Sequence, residues 1–138
     1  MIYSQSDVLD ISYCGWMEDR SDGISGCFLV MQVVYNRCFA QYFPHTIHGV
    51  VYQPGAFSWT LPSDPEHGKQ PAADDPIYLA CLADAPNILS GTNADLTKGS
   101  LYYANETEVG EGWYRKNIIN KSDLHPVTLV YGKLTYRK

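Results

Sequence analysis

The chain lacks any apolar run near the 18 or so residues that a membrane span needs. It is also short of positive charge, with ten Lys and Arg against fifteen Asp and Glu and a net charge of −5. That balance excludes the basic patch or stripe of a nucleic-acid binder. Four cysteines are present (Cys14, Cys27, Cys38, Cys81), none in a C-x-x-C pair. A zinc knuckle or redox motif is therefore not expected, and free, mostly buried thiols are. His45 and His48 form H-x-x-H with His67 downstream, but no Glu stands between them as in H-E-x-x-H. The histidines read as structural, and no metal or other cofactor is expected. No G-x-S-x-G is present to seat a serine nucleophile. The first twenty residues carry Asp7, Asp10, Glu18 and Asp19, unlike a leader that begins basic and continues apolar.

What is there fits one domain over residues 1–138. Ser6 and Asp7 offer a cap for a first helix carrying Val8, Leu9, Ile11 and Trp16 towards Glu18. Arg20-Ser-Asp-Gly23 breaks it. A second helix is expected from about Ile24 to Ala40, apolar on nearly all sides and so buried. Residues 45–52 suggest a short third helix, and residues 53–75, rich in Pro, Gly, Ser and Asp, a long loop. Asp75-Pro76 starts another helix, expected to reach Asp84 or Ala85 before Pro86 breaks or kinks it. Ser100 to Ala104 is β-like, and two runs around Gly132-Lys133 read as a hairpin with a type II′ turn. Helices first and a small antiparallel element last predict an α+β domain.

Among the carboxylates, Glu18 stands out because Trp16 and Met17 precede it. In a partly dry cleft its charged form would be disfavoured, and it would donate a proton near neutral pH. From spacing alone, a surface glutamate at a helix end is the plainer reading. Asp22 reads first as a turn or capping residue and second as a supporting carboxylate. Three tryptophans and eleven tyrosines are a heavy aromatic load, much of it core. Phe57 and Trp59 on the long loop and Tyr102-Tyr103 on the β-run are the candidates for flanking sugar rings. The basic end segment (Arg115, Lys116, Lys121, Lys133, Arg137, Lys138) reads as a solvated face, or as a weak attraction for an anionic polymer such as a cell wall.

Three ordered segments carry a resemblance. The first is Trp16-Met-Glu-Asp-Arg-Ser-Asp22, then Gly26 and Val33-Val-Tyr-Asn-Arg37. The second, and most specific, is Pro44-His-Thr-Ile-His-Gly-Val-Val-Tyr-Gln-Pro-Gly-Ala-Phe-Ser58. The third is Asp95-Leu-Thr-Lys-Gly-Ser-Leu-Tyr-Tyr103, followed by Asn105. Over roughly residues 7 to 137 the chain resembles the cell-wall hydrolase family typified by the bacterial spore-cortex lytic enzyme, members of which also occur in phages. It departs from the family pattern at Asp22 (a glutamate there), Leu96 (a proline) and Leu134 (a histidine).

The resemblance implies a lysozyme-like fold, a helical lobe and a small β element with a cleft between. It places Glu18 on the family's catalytic glutamate. It implies cleavage of the bond between N-acetylmuramic acid and N-acetylglucosamine in peptidoglycan glycan strands, as a lytic transglycosylase giving 1,6-anhydro products. Gln53, Ser58, Tyr102, Tyr103 and Asn105 would hold sugar hydroxyls and developing charge, although Gln53, Tyr102 and Asn105 fit plain packing equally well. Phe57 and Trp59 would form a cleft wall. Two alternatives stay open: a muramidase using water, and a wall-binding or virion-structural module without turnover. With no leader evident, the expectation is synthesis in a host cytoplasm, then action at the wall as a phage endolysin delivered by a holin, or carriage in a virion with other virion proteins.

Overall fold

A computed structural model describes all residues 1–138. Helix α1 (Gln5–Asp19) begins at Ser4, two residues before the expected cap. The Ser4 hydroxyl accepts from the Asp7 amide, and the Asp7 carboxylate accepts from the Ser4 amide. Asp7 is therefore the far half of a capping box whose first residue is Ser4. At the other end Arg20 donates to the Trp16 and Met17 carbonyls and lies over the Trp16 ring. It thereby satisfies carbonyls that the helix leaves open. A single 3₁₀ turn, Arg20–Asp22, leads into α2 (Gly23–Arg37).

Helix α2 is the partition of the molecule. On one side Cys27, Met31 and Val34 join the larger core with Ile11 and Cys14 of α1, Ile47, Val50 and Val51 of α3 (Ile47–Val51), and Cys81, Ala85 and Leu89 of α4 (Pro76–Leu89). On the other side Leu29, Val30 and Val33 pack against Leu134 and Tyr136. Each large apolar side chain so buried contributes roughly 1.5–3 kcal/mol. Gly15 lets α1 approach: a Cβ there would stand 2.7 Å from Met31 Cγ and 3.0 Å from the Cys27 carbonyl oxygen. All four cysteines are buried and free. None of the helices is long and apolar enough to cross a membrane.

The sheet has the order β1-β3-β2, all antiparallel, from β1 (Tyr102–Ala104), β2 (Val127–Tyr131) and β3 (Leu134–Arg137). Tyr103 faces Tyr136 across the β1–β3 pair. The hairpin turn has Gly132 at φ 56°, and the Asp22 carboxylate lies against its Cα while accepting from the Lys133 amide. Asp22 is therefore a docking residue for the hairpin rather than a side-chain cap of α2, to which it gives no capping bond. Helix α5 (Trp113–Asn117) lies between β1 and β2.

Two expectations need correction. Helix α2 stops at Arg37, not Ala40: the Phe39 and Ala40 amides donate to the Asn36 and Arg37 carbonyls three residues back, so the chain leaves the α-helical ladder in turns. Helix α4 runs through Pro86 to Leu89. Ala85, Ile88 and Leu89 are buried in the core, and that burial outweighs the ~3 kcal/mol penalty of an interior proline.

Gly15→Val should lower stability by about 1–3 kcal/mol through overpacking, read as a lower urea midpoint with an unchanged slope. An unchanged midpoint would show that the two helices do not meet at Gly15.

Candidate active site

The site is assembled at both ends of α2. In its last turn, the Asn36 side-chain amide donates to Asp95 Oδ2 (3.0 Å) and to the Ser100 carbonyl (3.1 Å). Asp95 in turn accepts from the Thr97 and Gly99 amides, both at 2.8 Å. Arg37 Nε donates to the Leu101 carbonyl at 2.8 Å. The Asn-Arg pair and the Asp-x-Thr-x-Gly run, far apart in sequence, form one polar clamp that sets where β1 starts. Leu96 is exposed and outside that clamp, so a proline is not needed there.

Strand β1 then delivers Tyr103 to Glu18. The Tyr103 hydroxyl donates to Glu18 Oε1 at 2.5 Å. Glu18 lies in the last turn of α1, partly exposed, with buried Trp16, Met17 and Asp19 around it. Burial pushes its carboxyl up from the usual range, and this outweighs Tyr103, Trp59, Arg37 and Lys133, which all pull it down. The Trp59 indole N–H is buried with no hydrogen-bond partner of ordinary geometry, and its nearness favours the charged form of Glu18. The expectation of a raised Glu18 carboxyl thus has its cause in the structure.

Asp19, next in sequence, serves other neighbours. It is 1 % exposed, its carboxyl packs on Gly26 and Asp22, and burial together with Asp22 pushes it up to about 8. A carboxyl so enclosed has no room to position a water against a substrate.

A cavity of about 620 Å³ is lined by Arg37, Phe43, Gln53, Tyr102, Tyr103 and Tyr114, with Tyr42 and Trp113 more exposed on it. Gln53, Tyr102 and Tyr103 therefore meet in one place. Phe57 and Trp59 do not form its wall. Phe57 is 3 % and Trp59 5 % exposed, with ring centroids 6.1 Å apart. They belong to the large core and back the site from behind, because Phe57 lies under the Arg37 guanidinium and Trp59 meets Tyr13 edge-on. Ser58 is exposed on a 3₁₀ turn (Ser58–Thr60) and outside the cavity lining. Asn105 spends its side chain inside its own loop, accepting from Thr107.

The long loop is pinned rather than free. Arg20 pairs with Glu66 at 3.1 Å, Tyr13 donates to the Lys69 carbonyl, and His67 donates to the Trp59 carbonyl. His45 donates to the Cys38 carbonyl and His48 pairs with Asp10, so these histidines hold structure together. Leu134, which stands where the family pattern has histidine, fills the smaller core beside Val30 and Val33. Sequence reasoning did not single out Arg37, Phe43, Tyr42, Trp113 or Tyr114 as site residues. A tryptophan amid Gly110-Glu-Gly-Trp113 was the one available signal, since large aromatics in polar, glycine-rich stretches have no core to enter.

A helical lobe with a small antiparallel sheet and an aromatic cavity is a lysozyme-like α+β fold. Two solved structures share the fold: the catalytic domain of the SleB protein from Bacillus cereus (TM-score 0.73, 24 % identity, 99 % of this chain and 93 % of that one) and the catalytic domain of the germination-specific lytic transglycosylase SleB from Bacillus anthracis (TM-score 0.72, 24 %, 99 % and 97 %). The family model described as Cell Wall Hydrolase matches residues 21–125. The spore cortex-lytic enzyme of Bacillus cereus is 30 % identical over 113 residues, and that of Oceanobacillus iheyensis 29 %. Each match covers 80 % of this chain, but only 39 % and 37 % of those longer proteins. The chain belongs to the cell wall hydrolase family. The family match begins at Ser21, so Glu18 rests on its own geometry and on the motif around it.

Burying Glu18 makes stability depend on pH. Its folded pKa exceeds the unfolded one, so its contribution is complete below the unfolded value and is lost as pH rises through the folded value. Glu18→Gln should therefore be more stable than the native chain at neutral pH, with the difference vanishing below pH ~4. Thermal melts across pH test this, and equal melts at neutral pH would contradict it. Tyr103→Phe removes a bond to the ionised form and should move the Glu18 midpoint further up, read by carboxyl carbon NMR.

Proposed function

We propose that this chain, as one catalytic unit over residues 1–138, cleaves the bond between N-acetylmuramic acid and N-acetylglucosamine in peptidoglycan, with Glu18 as both acid and base. The observation that carries the reading is the bond between Tyr103 and a Glu18 whose burial keeps its carboxyl neutral to higher pH than usual. Membership of the cell wall hydrolase family supports the substrate.

The step runs as follows. Glu18 gives its proton to the glycosidic oxygen as the C1–O bond breaks. N-acetylglucosamine leaves as the alcohol, and positive charge develops at C1 of the muramic sugar. The C6 hydroxyl oxygen of the same sugar closes on C1, and its proton returns to the Glu18 carboxylate. The product is a 1,6-anhydro sugar, and the enzyme regains its starting state. Ordinary glycoside hydrolysis needs a second carboxylate, to hold water or to attack. The adjacent candidate, Asp19, is sealed against Gly26 and Asp22, which favours the intramolecular route. Tyr103 holds the Glu18 carboxyl in one orientation through both transfers, while Tyr102 and Gln53 face the sugar from the cavity wall.

Mass spectrometry of fragments released from purified peptidoglycan tests the proposal. The expected products are anhydro-muramic species, each lighter by one water than the hydrolysed fragment. Reducing-end muramic products would make the protein a muramidase. Binding without any released fragment would make it a wall-binding module.

A further inference from the structure

Arg37 carries a charge that the fold leaves unanswered. Its side chain is 8 % exposed, and only Nε has a protein partner, the Leu101 carbonyl at 2.8 Å. Its guanidinium carbon lies 5.2 Å from the Phe43 ring centroid and 5.6 Å from that of Phe57. Those faces support the cation but supply no hydrogen-bond acceptor. None of the chain's ion pairs includes it. The two terminal nitrogens make no protein bond, and they are not sealed in like the Trp16 and Trp59 nitrogens. They open on the cavity whose wall Arg37 forms with Gln53, Tyr102 and Tyr103.

A buried cation without a partner is expensive to keep. Here the nearby Glu18 offsets it only while ionised, and the proposed reaction starts with Glu18 protonated. In that state the cavity holds one uncompensated guanidinium with two parallel N–H donors. The group that matches such a fork in charge and geometry is a carboxylate. Around it stand aromatic faces and an amide side chain, the lining that sugar rings take.

We infer that Arg37 is a specificity-determining residue that binds a carboxylate carried by the muramic residue of the glycan. This rests on the reading that the cavity takes peptidoglycan. The chain would thereby separate acidic muramic polymers from neutral amino-sugar polymers of the same backbone. The carboxylate has two sources in a wall: the lactyl ether of a muramic residue that has lost its peptide, and the acidic groups of an attached stem peptide. A carboxylate on Arg37 would also remove that cation's downward pull on Glu18, helping Glu18 to keep its proton when substrate is bound.

The test uses Glu18→Gln, an uncharged stand-in for the acid form that binds without cleaving. Four ligands are titrated by calorimetry: a peptide-free muramic tetrasaccharide with free lactyl carboxylates, its lactyl amide, the same glycan with stem peptides, and the neutral tetramer of N-acetylglucosamine. The free acid should bind about 10- to 100-fold more tightly than its amide, the range for hydrogen bonds to a charged group, and salt should weaken the difference. Adding Arg37→Gln should erase the preference, while Arg37→Lys should keep part of it. The acid-against-amide comparison needs no change at Arg37, so it stands even if those variants unfold. Stem-peptide glycan binding more tightly than the free acid would assign the carboxylate to the peptide. Equal affinity for acid and amide, with the stem-peptide glycan binding no more tightly than either, overturns this inference alone. Failure of all four ligands to bind overturns the peptidoglycan reading together with it.

Discussion

The burial of α2 between two cores constrains everything else in this molecule. Met31 and Val34 lie in one core and Val30 and Val33 in the other, so the helix is held from both sides. Its two ends carry the polar contacts that place the site. At the first end Asp22 seats the β2–β3 turn, one turn of chain after Glu18. At the last end Asn36 and Arg37 hold the segment that becomes β1. The two ends are joined by one short bond, from Tyr103 to Glu18, so the site depends on the helix being rigid.

The same arrangement explains why the site is costly to the fold. Glu18 and Asp19 are consecutive carboxyls, both raised by burial, and one core serves both. Asp19 is held by packing among Gly26 and Asp22, and its charge is suppressed into the range of about 8. Glu18 has Tyr103 and Trp59 beside it and keeps partial exposure. Two adjacent acids thus differ in exposure and partners through their neighbours alone, since their intrinsic acidities are nearly equal.

Much of this was legible in the chain. The hairpin around Gly132-Lys133 follows from turn chemistry, and Asp75-Pro76 from helix capping, because both signals are local. The all-round apolar character of α2 announced its central place. Glu18 became visible through the Trp16 to Asp22 motif and not through spacing. What stayed hidden was set by contacts between distant segments. Pro86 stays within a helix because the residues after it are buried. Phe57 and Trp59 look like loop aromatics, yet the loop is pinned by Arg20 and Tyr13 and folds them inward. Leu134 stands where the family pattern has a histidine, and in the fold it is a core residue. Arg37 was visible as half of an Asn-Arg pair, but its unpaired nitrogens exist only in three dimensions.

In the proposed reaction one carboxyl, Glu18, performs both proton transfers. The most direct measurement is clearing of an insoluble peptidoglycan suspension by the native chain, by Glu18→Gln and by Asp19→Asn, each first shown to be folded. Clearing is expected from the native chain and from Asp19→Asn, with a loss of at least about 10²-fold for Glu18→Gln. Clearing by Glu18→Gln at a rate near native, or loss confined to Asp19→Asn, would contradict this role for Glu18.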